Sequence, residues 1–381
     1  MLGLYLHIPF CAAICNYCNF NRGLLDGALK LRYIDALITE IERAAEPGTP
    51  VDTIYFGGGT PSLLSAAEVA RILDACRRSF EIARDSELTL EANPETVSLE
   101  LLSGYHAAGI NRLSFGVQSF DDSELRRLGR LHSADTARSA VALARKAGFD
   151  NVSLDLMMWL PEQRVDQWLA SVDSLIDVRP EHASLYLLEL YPNAPLKEDM
   201  ARAGWSLAPD EDAATMYLEA MARLDAAGYE QYEISNVAQP GRRARHNVKY
   251  WQDGEWLAFG CGAHATRGGV RWRNVAGTAD YVTRVTNGAS LVAERRTLTS
   301  EERTEDALFT GLRLTAGLDL AAIARRYGVD VWKRYGAEMA RFVDAGLVLH
   351  EPGRRLALTR AGMLLANDVM TVFIGSASTV K

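Results

Sequence analysis

The sequence has no long apolar stretch: no run of about 18 apolar residues, the minimum for a membrane-crossing helix, occurs in its 381 residues. Its first residues lack the basic segment followed by an apolar core that marks a secretory signal. Basic residues are fewer than acidic ones: the chain has 41 Lys and Arg and 49 Asp and Glu, which gives a net charge of −8. A nucleic-acid partner usually requires a basic surface. These absences predict a cytoplasmic protein that binds no nucleic acid.

Cysteine is also rare, and three of the five cysteines fall within eight residues: Cys11, Cys15 and Cys18, spaced C-x3-C-x2-C. Nothing suggests an oxidising compartment, so a disulfide is not expected. Thiolates this close on one loop can converge on a metal centre. Structural zinc sites and ordinary iron–sulfur cubanes use four protein ligands, so three thiolates on a four-iron cluster leave one iron open. A zinc site completed by His7, or three cysteines buried in a core, are the alternatives.

The first 190 residues repeat a strand–helix pattern six times. The predicted strands are Leu2–Ile8, Val51–Phe56, Glu87–Ala92, Arg112–Val117, Asn151–Met157 and Ala183–Leu188. This alternation predicts an α/β protein with a parallel sheet, either open or barrel-like. Ligands of such sheets bind at the carboxyl ends of the strands. The cysteine loop falls there, and so do Gly57–Thr60, Glu91, Gln118 and Asp155.

The residue pattern of the remaining chain changes at about residue 191 and again at about residue 298. Residues 191–297 are less regular, whereas residues 298–381 carry three helix patterns and then two short strand patterns around Pro352-Gly353. The three helix patterns are 300–315, 319–327 and 331–345. We therefore predict a barrel-type domain over 1–190, an extension over 191–297 and a mostly helical, winged-helix-like domain over 298–381. With this net charge, the last domain is expected to pack or dimerise, in a monomer or homodimer, rather than to bind DNA.

The cysteine spacing resembles that of radical S-adenosylmethionine (SAM) enzymes. Gly57–Pro61 lies at the distance of their glycine-rich motif, although by itself this segment is equally a tight turn. The resemblance implies a partial (β/α)6 barrel and a [4Fe–4S] cluster on Cys11, Cys15 and Cys18. SAM would chelate the open iron through its amino and carboxylate groups, and one electron from the cluster would cleave it to a 5′-deoxyadenosyl radical. The protein would bind, orient and shield this cofactor chemistry.

Longer segments match a narrower family. They are Tyr-Leu-His-Ile-Pro-Phe at 5–10, Tyr-Phe-Gly-Gly-Gly-Thr-Pro at 55–61, Arg-Leu-Ser-Phe-Gly-Val-Gln-Ser at 112–119 and Gly-Arg-Leu-His at 129–132. From end to end the chain resembles the oxygen-independent coproporphyrinogen III oxidase superfamily. The resemblance implies that Tyr5, Gly58 and Glu91 contact a first SAM. Six residues match contacts to a second SAM in the oxidase and are expected to line the pocket: Tyr17, Gly59, Thr60, Gln118, Arg130 and Asp155.

This superfamily has two branches, the decarboxylating oxidase of haem synthesis and a haem chaperone branch of the HemW type. Three features favour the chaperone branch. Phe20 stands where the oxidase has a further cysteine, and only four residues precede Tyr5 where the oxidase carries an extension. Residues 246–251, His-Asn-Val-Lys-Tyr-Trp, match the H-N-x-x-Y-W segment of the chaperones. We expect a protein that transfers haem and has no oxidase activity. The alternative is the oxidase, or another radical enzyme acting on a tetrapyrrole.

Haem is thus the third expected cofactor. His246 is a candidate axial ligand because imidazole suits haem iron, and Arg242, Arg243 and Arg245 could meet the propionates. Because this stretch follows the six predicted strands and is rich in arginine, we expect it on an accessible rim. A packed histidine among solvated arginines is the alternative. The implied partners are haem-accepting proteins, an electron donor such as flavodoxin or ferredoxin, and, through the acceptors, a peripheral contact with membranes.

One segment departs from the family pattern. Related sequences show Tyr-Gly-Leu-Pro-Gly-Gln after the strand that carries Asp155, and here residues 158–163 are Met-Trp-Leu-Pro-Glu-Gln. Trp159 thus replaces a glycine, and we expect it to narrow the substrate space or the second SAM site. The two remaining cysteines, Cys76 and Cys261, are expected to be small core residues.

Overall fold

The computed structural model describes residues 1–192 and 194–374. Its first part alternates strands and helices, as the sequence pattern predicts. In chain order these elements are β1 (Leu2–Ile8), β2 (Phe10–Cys11), β3 (Gly23–Leu24), α1 (Gly27–Arg43), β4 (Pro50–Gly58), α2 (Ala66–Ser79), β5 (Glu81–Ala92), α3 (Leu99–Ala108), β6 (Arg112–Gln118), α4 (Asp122–Arg127), α5 (Ala134–Lys146), β7 (Val152–Met158), α6 (Val165–Val178) and β8 (His182–Leu187). Short 3-10 turns follow β4 and β5 at Pro61–Leu63 and Pro94–Thr96.

The stretch that the sequence left irregular also folds into regular elements. They are α7 (Pro195–Ala203), α8 (Asp210–Ala226), β9 (Glu230–Glu233), β10 (Asn236–Ala238), α9 (Arg245–Trp251), β11 (Trp256–Phe259), β12 (His264–Arg267), β13 (Val270–Asn274), α10 (Thr278–Thr286) and β14 (Val292–Thr297). These strands are only three to six residues long, too short for their periodicity to be recognised in the sequence.

The carboxy-terminal part combines helices with a small antiparallel sheet, in the order β15-β17-β16. Its elements are α11 (Ser300–Gly311), β15 (Leu318–Asp319), α12 (Leu320–Tyr327), α13 (Val331–Asp344), β16 (Val348–Glu351), β17 (Arg355–Leu358), α14 (Arg360–Leu364), α15 (Ala366–Met370) and a 3-10 turn at Thr371–Phe373. Throughout the described chain, no helix is long and apolar enough to cross a membrane.

One twelve-stranded sheet organises the molecule, in the order β14-β13-β12-β11-β1-β4-β5-β6-β7-β8-β10-β9. The six strands predicted from the sequence lie side by side at its centre and are all parallel. β11 adds a seventh parallel strand beside β1, and antiparallel strands continue the sheet on both sides. The expected fold class is therefore confirmed, but the sheet is twice as wide as the six predicted strands.

The two faces of the central strands differ in polarity. In β1, Leu4 and Leu6 belong to the same apolar cluster as Ile34 and Leu37 of α1, so one face packs against the helices. Alternate residues of a strand point to the opposite face. That face carries buried polar side chains, among them Thr53, Glu87, Arg112, Ser153 and His182. Buried polar groups need partners, and the functional groups of the molecule lie on this face.

The carboxy-terminal part is anchored to the sheet by a buried ion pair. Arg313 Nη2 donates to Glu233 Oε2 at 3.0 Å, and the Glu233 side chain is fully buried. The backbone N–H of Thr315 donates to Tyr232 O at 3.0 Å. Met339 and Phe342 of α13 belong to the same apolar cluster as the strands of the main sheet. The helical part is therefore continuous with the main core.

Candidate functional site

The cysteine loop follows β1 and is closed by its own backbone. The N–H of Gly23 donates to Pro9 O at 2.7 Å, and the N–H of Cys18 donates to Cys15 O at 3.2 Å. The first bond pairs β2 with β3 as a small parallel ladder. Cys11, Cys15 and Cys18 all carry free thiols. Since Cys15 and Cys18 are only partly buried, the three cysteines are not a simple core cluster.

The three cysteines line one cavity of about 380 Å³ beside the carboxyl ends of the parallel strands, a size that suits a small-molecule cofactor. Eleven of the thirteen site residues predicted from the sequence line it: Cys11, Cys15, Tyr17, Cys18, Gly58, Gly59, Thr60, Glu91, Gln118, Arg130 and Asp155. Tyr5 and His246 are not among the residues that line this cavity.

The glycine turn after β4 packs directly against the cysteine loop. A Cβ atom on Gly59 would lie 2.8 Å from Phe10 O and 3.0 Å from Cys11 Sγ. Gly58 has a φ of +118°, which L side chains rarely adopt. The N–H of Thr60 donates to Phe10 O at 2.8 Å. Glycine is therefore required here by the protein's own packing, and this packing fixes Cys11 at the cavity.

Two buried carboxyl groups face the cavity. Glu91 accepts hydrogen bonds from the Tyr55 hydroxyl at 2.7 Å and from the N–H of Gly58 at 3.2 Å. Burial raises the pKa of Glu91 to about 7, and the hydrogen bond from Tyr55, which lowers this pKa, offsets only part of the effect. Burial likewise raises the pKa of Asp155 to about 6, against a hydrogen bond from Ser184. Both groups change ionisation near neutral pH, and a bound cation would favour the charged forms.

Arg130 connects the strand ends to the cysteine loop. Its Nη2 donates to Gly116 O at 2.6 Å and to Asn93 Oδ1 at 2.9 Å, and its Nη1 donates to Cys15 Sγ at 3.4 Å. This contact places a guanidinium N–H against one of the predicted cluster ligands. Asn93 was not predicted as a site residue; its place just beyond β5 is the signal that could have found it.

The cavity has an apolar mouth that the sequence did not reveal. Five large side chains line the cavity and are more than one-third exposed: Ile14, Phe20, Tyr186, Leu187 and Tyr191. Three of them lie at or just beyond the end of β8, where the strand-end rule could have suggested them. Phe20, at the position of the oxidase's further cysteine, is 64% exposed.

The zinc alternative needs a fourth ligand beside the three cysteines. His7, the fourth ligand of the zinc alternative, has Nε2 2.7 Å from Asn21 O and Nδ1 3.2 Å from the Tyr5 hydroxyl. Within residues 1–192 and 194–374, no three His, Cys, Asp or Glu side chains are arranged to hold one metal ion. Zinc draws its thiolates to about 2.3 Å, whereas a cluster spreads them over different irons. Both ring nitrogens of His7 already have polar partners, and three thiols lining the cavity are the protein ligands expected for a cluster with one open iron.

Comparisons with known proteins agree with this site. Family models match residues 5–175 as radical SAM superfamily and residues 298–365 as HemN C-terminal domain. The heme chaperone HemW of Bacillus subtilis is 36% identical over 378 residues, which cover 98% of this chain and 100% of that protein. Heme chaperone HemW of Mycobacterium tuberculosis is 39% identical over 381 residues, 98% of this chain and 95% of the relative. The chain belongs to the HemW type of the radical SAM family.

A solved structure shares the fold of this HemW-type protein. Coproporphyrinogen III oxidase (HemN) from Escherichia coli, a radical SAM enzyme, superposes with a TM-score of 0.87 over 98% of this chain and 89% of that chain. The sequence identity is 24%, so this likeness concerns the fold.

Tyr5 lies beneath the cavity rather than in its wall. Its ring stacks near Tyr55, with 6.1 Å between centroids, and a Cβ atom on Gly57 would lie 2.9 Å from it. Tyr5 therefore supports the glycine turn from below. The contact between Tyr5 and SAM that the family resemblance implies stays a prediction.

His246 of the H-N-x-x-Y-W segment lies in the protein interior. It is 1% exposed, with Nδ1 2.8 Å from Thr53 Oγ1 and Nε2 2.8 Å from the Tyr250 hydroxyl. Its backbone N–H donates to Glu87 Oε1 at 3.0 Å. Helix α9 thus packs against the polar face of the sheet, near the amino ends of β1 and β4 and away from the cysteine loop. His246 itself therefore does not lie on the accessible rim expected for this stretch, and both of its ring nitrogens have polar partners.

The arginines around this HemW-type segment are paired with acids. The pairs are Arg242–Asp150 and Arg243–Glu230, both at 3.3 Å, and Arg245–Asp52 at 3.4 Å. Their charges therefore serve to hold the α9 region in place. The sequence does not show these pairings, because Asp150 and Asp52 lie 92 and 193 positions from their arginines.

Trp159 does not narrow the cavity. Its indole Nε1 donates to Ala208 O at 2.7 Å, so the ring packs toward the segment before α8, and it is not among the lining residues. Its φ of +61° lies in the left-handed region that favours glycine. The expectation that Trp159 restricts the pocket is wrong, because the backbone turns the ring away.

The interior position of His246 predicts a large stability effect. We expect His246→Ala to lower the free energy of unfolding by about 3 kcal/mol, because it leaves a cavity and deprives the hydroxyls of Thr53 and Tyr250 of their partner. Urea unfolding measures this loss. His106→Ala, at an exposed position, is the matched control and should stay within about 0.5 kcal/mol of wild type. Equal unfolding midpoints for the two variants would contradict the interior role.

Proposed function

We propose that this protein holds one [4Fe–4S] cluster, SAM and haem, and acts as a haem chaperone that passes haem to acceptor proteins. One observation carries the proposal: three free thiols, a glycine turn and a buried glutamate line a single cavity. Relatives that match the chain over almost its whole length carry the name heme chaperone HemW. An electron donor such as flavodoxin or ferredoxin completes the set of proposed partners.

The residues of the cavity have distinct proposed roles. Cys11, Cys15 and Cys18 would bind three irons of the cluster and leave the fourth to SAM. When bound, the cluster and SAM supply one-electron chemistry. Glu91 would hold the positively charged or hydroxyl-bearing parts of SAM, and its partner Gly58 would hold the turn against it. Arg130, whose Nη1 lies 3.4 Å from Cys15 Sγ, would donate a hydrogen bond to that ligand.

The ligand assignment predicts which cysteines the cluster needs. Replacing Cys11, Cys15 or Cys18 with Ala should abolish the iron content and brown absorbance obtained by anaerobic reconstitution, because the cluster would lose a protein ligand. Cys76→Ala and Cys261→Ala are matched controls, since both residues are fully buried and do not line the cavity. Loss of the cluster in a control variant, or zinc in place of iron in wild type, would refute the ligand set.

The raised pKa of Glu91, about 7, predicts that SAM binding depends on pH. Below this pKa the carboxyl is protonated and loses its attraction for a cation, so affinity should fall as pH drops, by up to about tenfold per pH unit. The perturbation of the cluster's EPR signal by SAM, titrated between pH 6 and 8.5, measures this.

Glu91→Gln should bind SAM weakly with a flat profile in that range. Glu40→Gln is the matched control, because burial also raises the pKa of Glu40 to about 7 while its partners are Gly260, Asn274 and Tyr281, outside the cavity. This control should keep the wild-type slope. A wild-type slope in Glu91→Gln would show that another group controls binding.

Two assays on one reconstituted preparation, one for haem binding and one for oxidase activity, distinguish a haem chaperone from an oxidase. A decarboxylase must hold a propionate chain of its substrate in near contact with the 5′ carbon of SAM, whereas a chaperone must leave haem within reach of a partner. We expect the reconstituted protein to bind haem with a Soret shift and to pass it to an apoprotein. We expect no conversion of coproporphyrinogen III under reducing anaerobic conditions with SAM. Robust conversion by a protein that does not bind haem would make the oxidase assignment correct.

A further inference from the structure

The exit of the cysteine loop is fixed by Asn21. Its Nδ2 donates to Cys261 O at 3.0 Å, and its backbone oxygen lies 2.7 Å from His7 Nε2. A Cβ atom on Gly262 would lie 2.3 Å from the same Nδ2, so the turn after β11 packs tightly against this side chain. The next residue, Arg22, therefore leaves the loop from a fixed position.

The side chain of Arg22 turns back toward the cysteines. Its Nη2 donates to Cys18 O, and it lines the same cavity as Cys11, Cys15 and Cys18. Its Nε is buried and has no hydrogen-bond partner. Within the part of the chain that the structure describes, no Asp or Glu forms an ion pair with Arg22. The guanidinium thus keeps an uncompensated charge and most of its five N–H donors.

The second basic side chain of the cavity is differently placed. Among the described residues that line the cavity, only Arg22 and Arg130 are basic. Arg130 already donates to Gly116 O, Asn93 Oδ1 and Cys15 Sγ. It is therefore held between the strand ends and one cysteine, whereas Arg22 makes a single backbone contact, which a neutral donor could also make. The hydrogen bond to Cys18 O thus does not by itself require an arginine.

A positive charge beside these cysteines would act on what they bind. A four-iron cluster on three thiolates has a net negative charge, and its reduction adds one electron and no proton. The net charge and the hydrogen bonds around such a cluster influence its reduction potential. In a site of low dielectric constant, a nearby cation stabilises the more negative, reduced state. Arg22 would therefore make the cluster easier to reduce.

We propose that the charge of Arg22 raises the reduction potential of the cluster and brings it within reach of the electron donor. This inference rests on the proposed function, because that function supplies the cluster. The electron comes from the proposed donor, a flavodoxin or ferredoxin, which is oxidised as the cluster is reduced. Since the reduced cluster is the state that would cleave SAM, Arg22 would influence whether SAM is cleaved or only held.

Redox titration of the reconstituted full-length protein without SAM tests this role, with EPR of the reduced cluster as the readout. At the wild-type midpoint potential, Arg22→Gln should lower the ratio of reduced to oxidised cluster about tenfold, a downward shift of about 59 mV for one electron. Arg22→Met should shift the midpoint equally, because both variants remove the charge. Arg22→Lys keeps the charge, so its ratio should stay within about threefold of wild type.

The matched control removes the same charge far from the loop. Arg354 is exposed between β16 and β17, where it pairs with Glu351 at 3.0 Å. Arg354→Gln should leave the midpoint potential unchanged. Because the EPR signal comes only from protein that holds a cluster, a lower iron content in a variant does not alter its measured midpoint.

The inference and the proposed function fail in different ways. If wild type forms the cluster and Arg22→Gln and Arg22→Met titrate at the wild-type midpoint, Arg22 does not set the potential and the cluster assignment stands. An equal shift in Arg22→Lys and Arg22→Gln would also overturn the inference, since the charge would then have no part in it. If wild type incorporates no iron, the proposed function itself is overturned.

Discussion

The contact between the glycine turn and the cysteine loop is the constraint on which the rest of the site depends. Phe10 O, Cys11 Sγ and the backbone of Gly59 lie so close that a single methyl group would force them apart. This contact joins the ends of β1 and β4, and Gly58 then meets Glu91 on β5. A cofactor bound by the cysteines would thereby be held in register with three neighbouring strands. The loop needs no disulfide, because backbone hydrogen bonds and close packing already fix it.

Beneath the cavity, the barrel interior is polar and depends on matched charges. Arg112 is 1% exposed, and its charge lowers the pKa of both Glu91 and Asp155, against the larger effect of burial. At the far end, α9 inserts His246 between Thr53 and Tyr250. A buried polar interior is stable only when its groups find partners. The H-N-x-x-Y-W segment supplies such partners, which gives it a structural role independent of any ligand.

The cysteine cavity occupies only one part of the wide sheet. It lies beside the carboxyl ends of the parallel strands, where Glu91, Asp155 and Arg130 line it. The strands β11–β14 continue the sheet beyond β1, and none of their residues lines this cavity.

The sequence by itself determined the parallel strand–helix core and eleven of the cavity residues. Both follow from local rules: strand and helix periodicity are properties of neighbouring residues, and the carboxyl ends of parallel strands must meet at one edge of the sheet. Only the tertiary structure decided the rest. Whether His246 is exposed depends on Thr53 and Glu87, which lie more than 150 positions away in the chain. Trp159 leaves the cavity because of a backbone dihedral angle. Contacts between distant parts of the chain leave no periodic signal in the sequence, so the folded molecule alone reveals them.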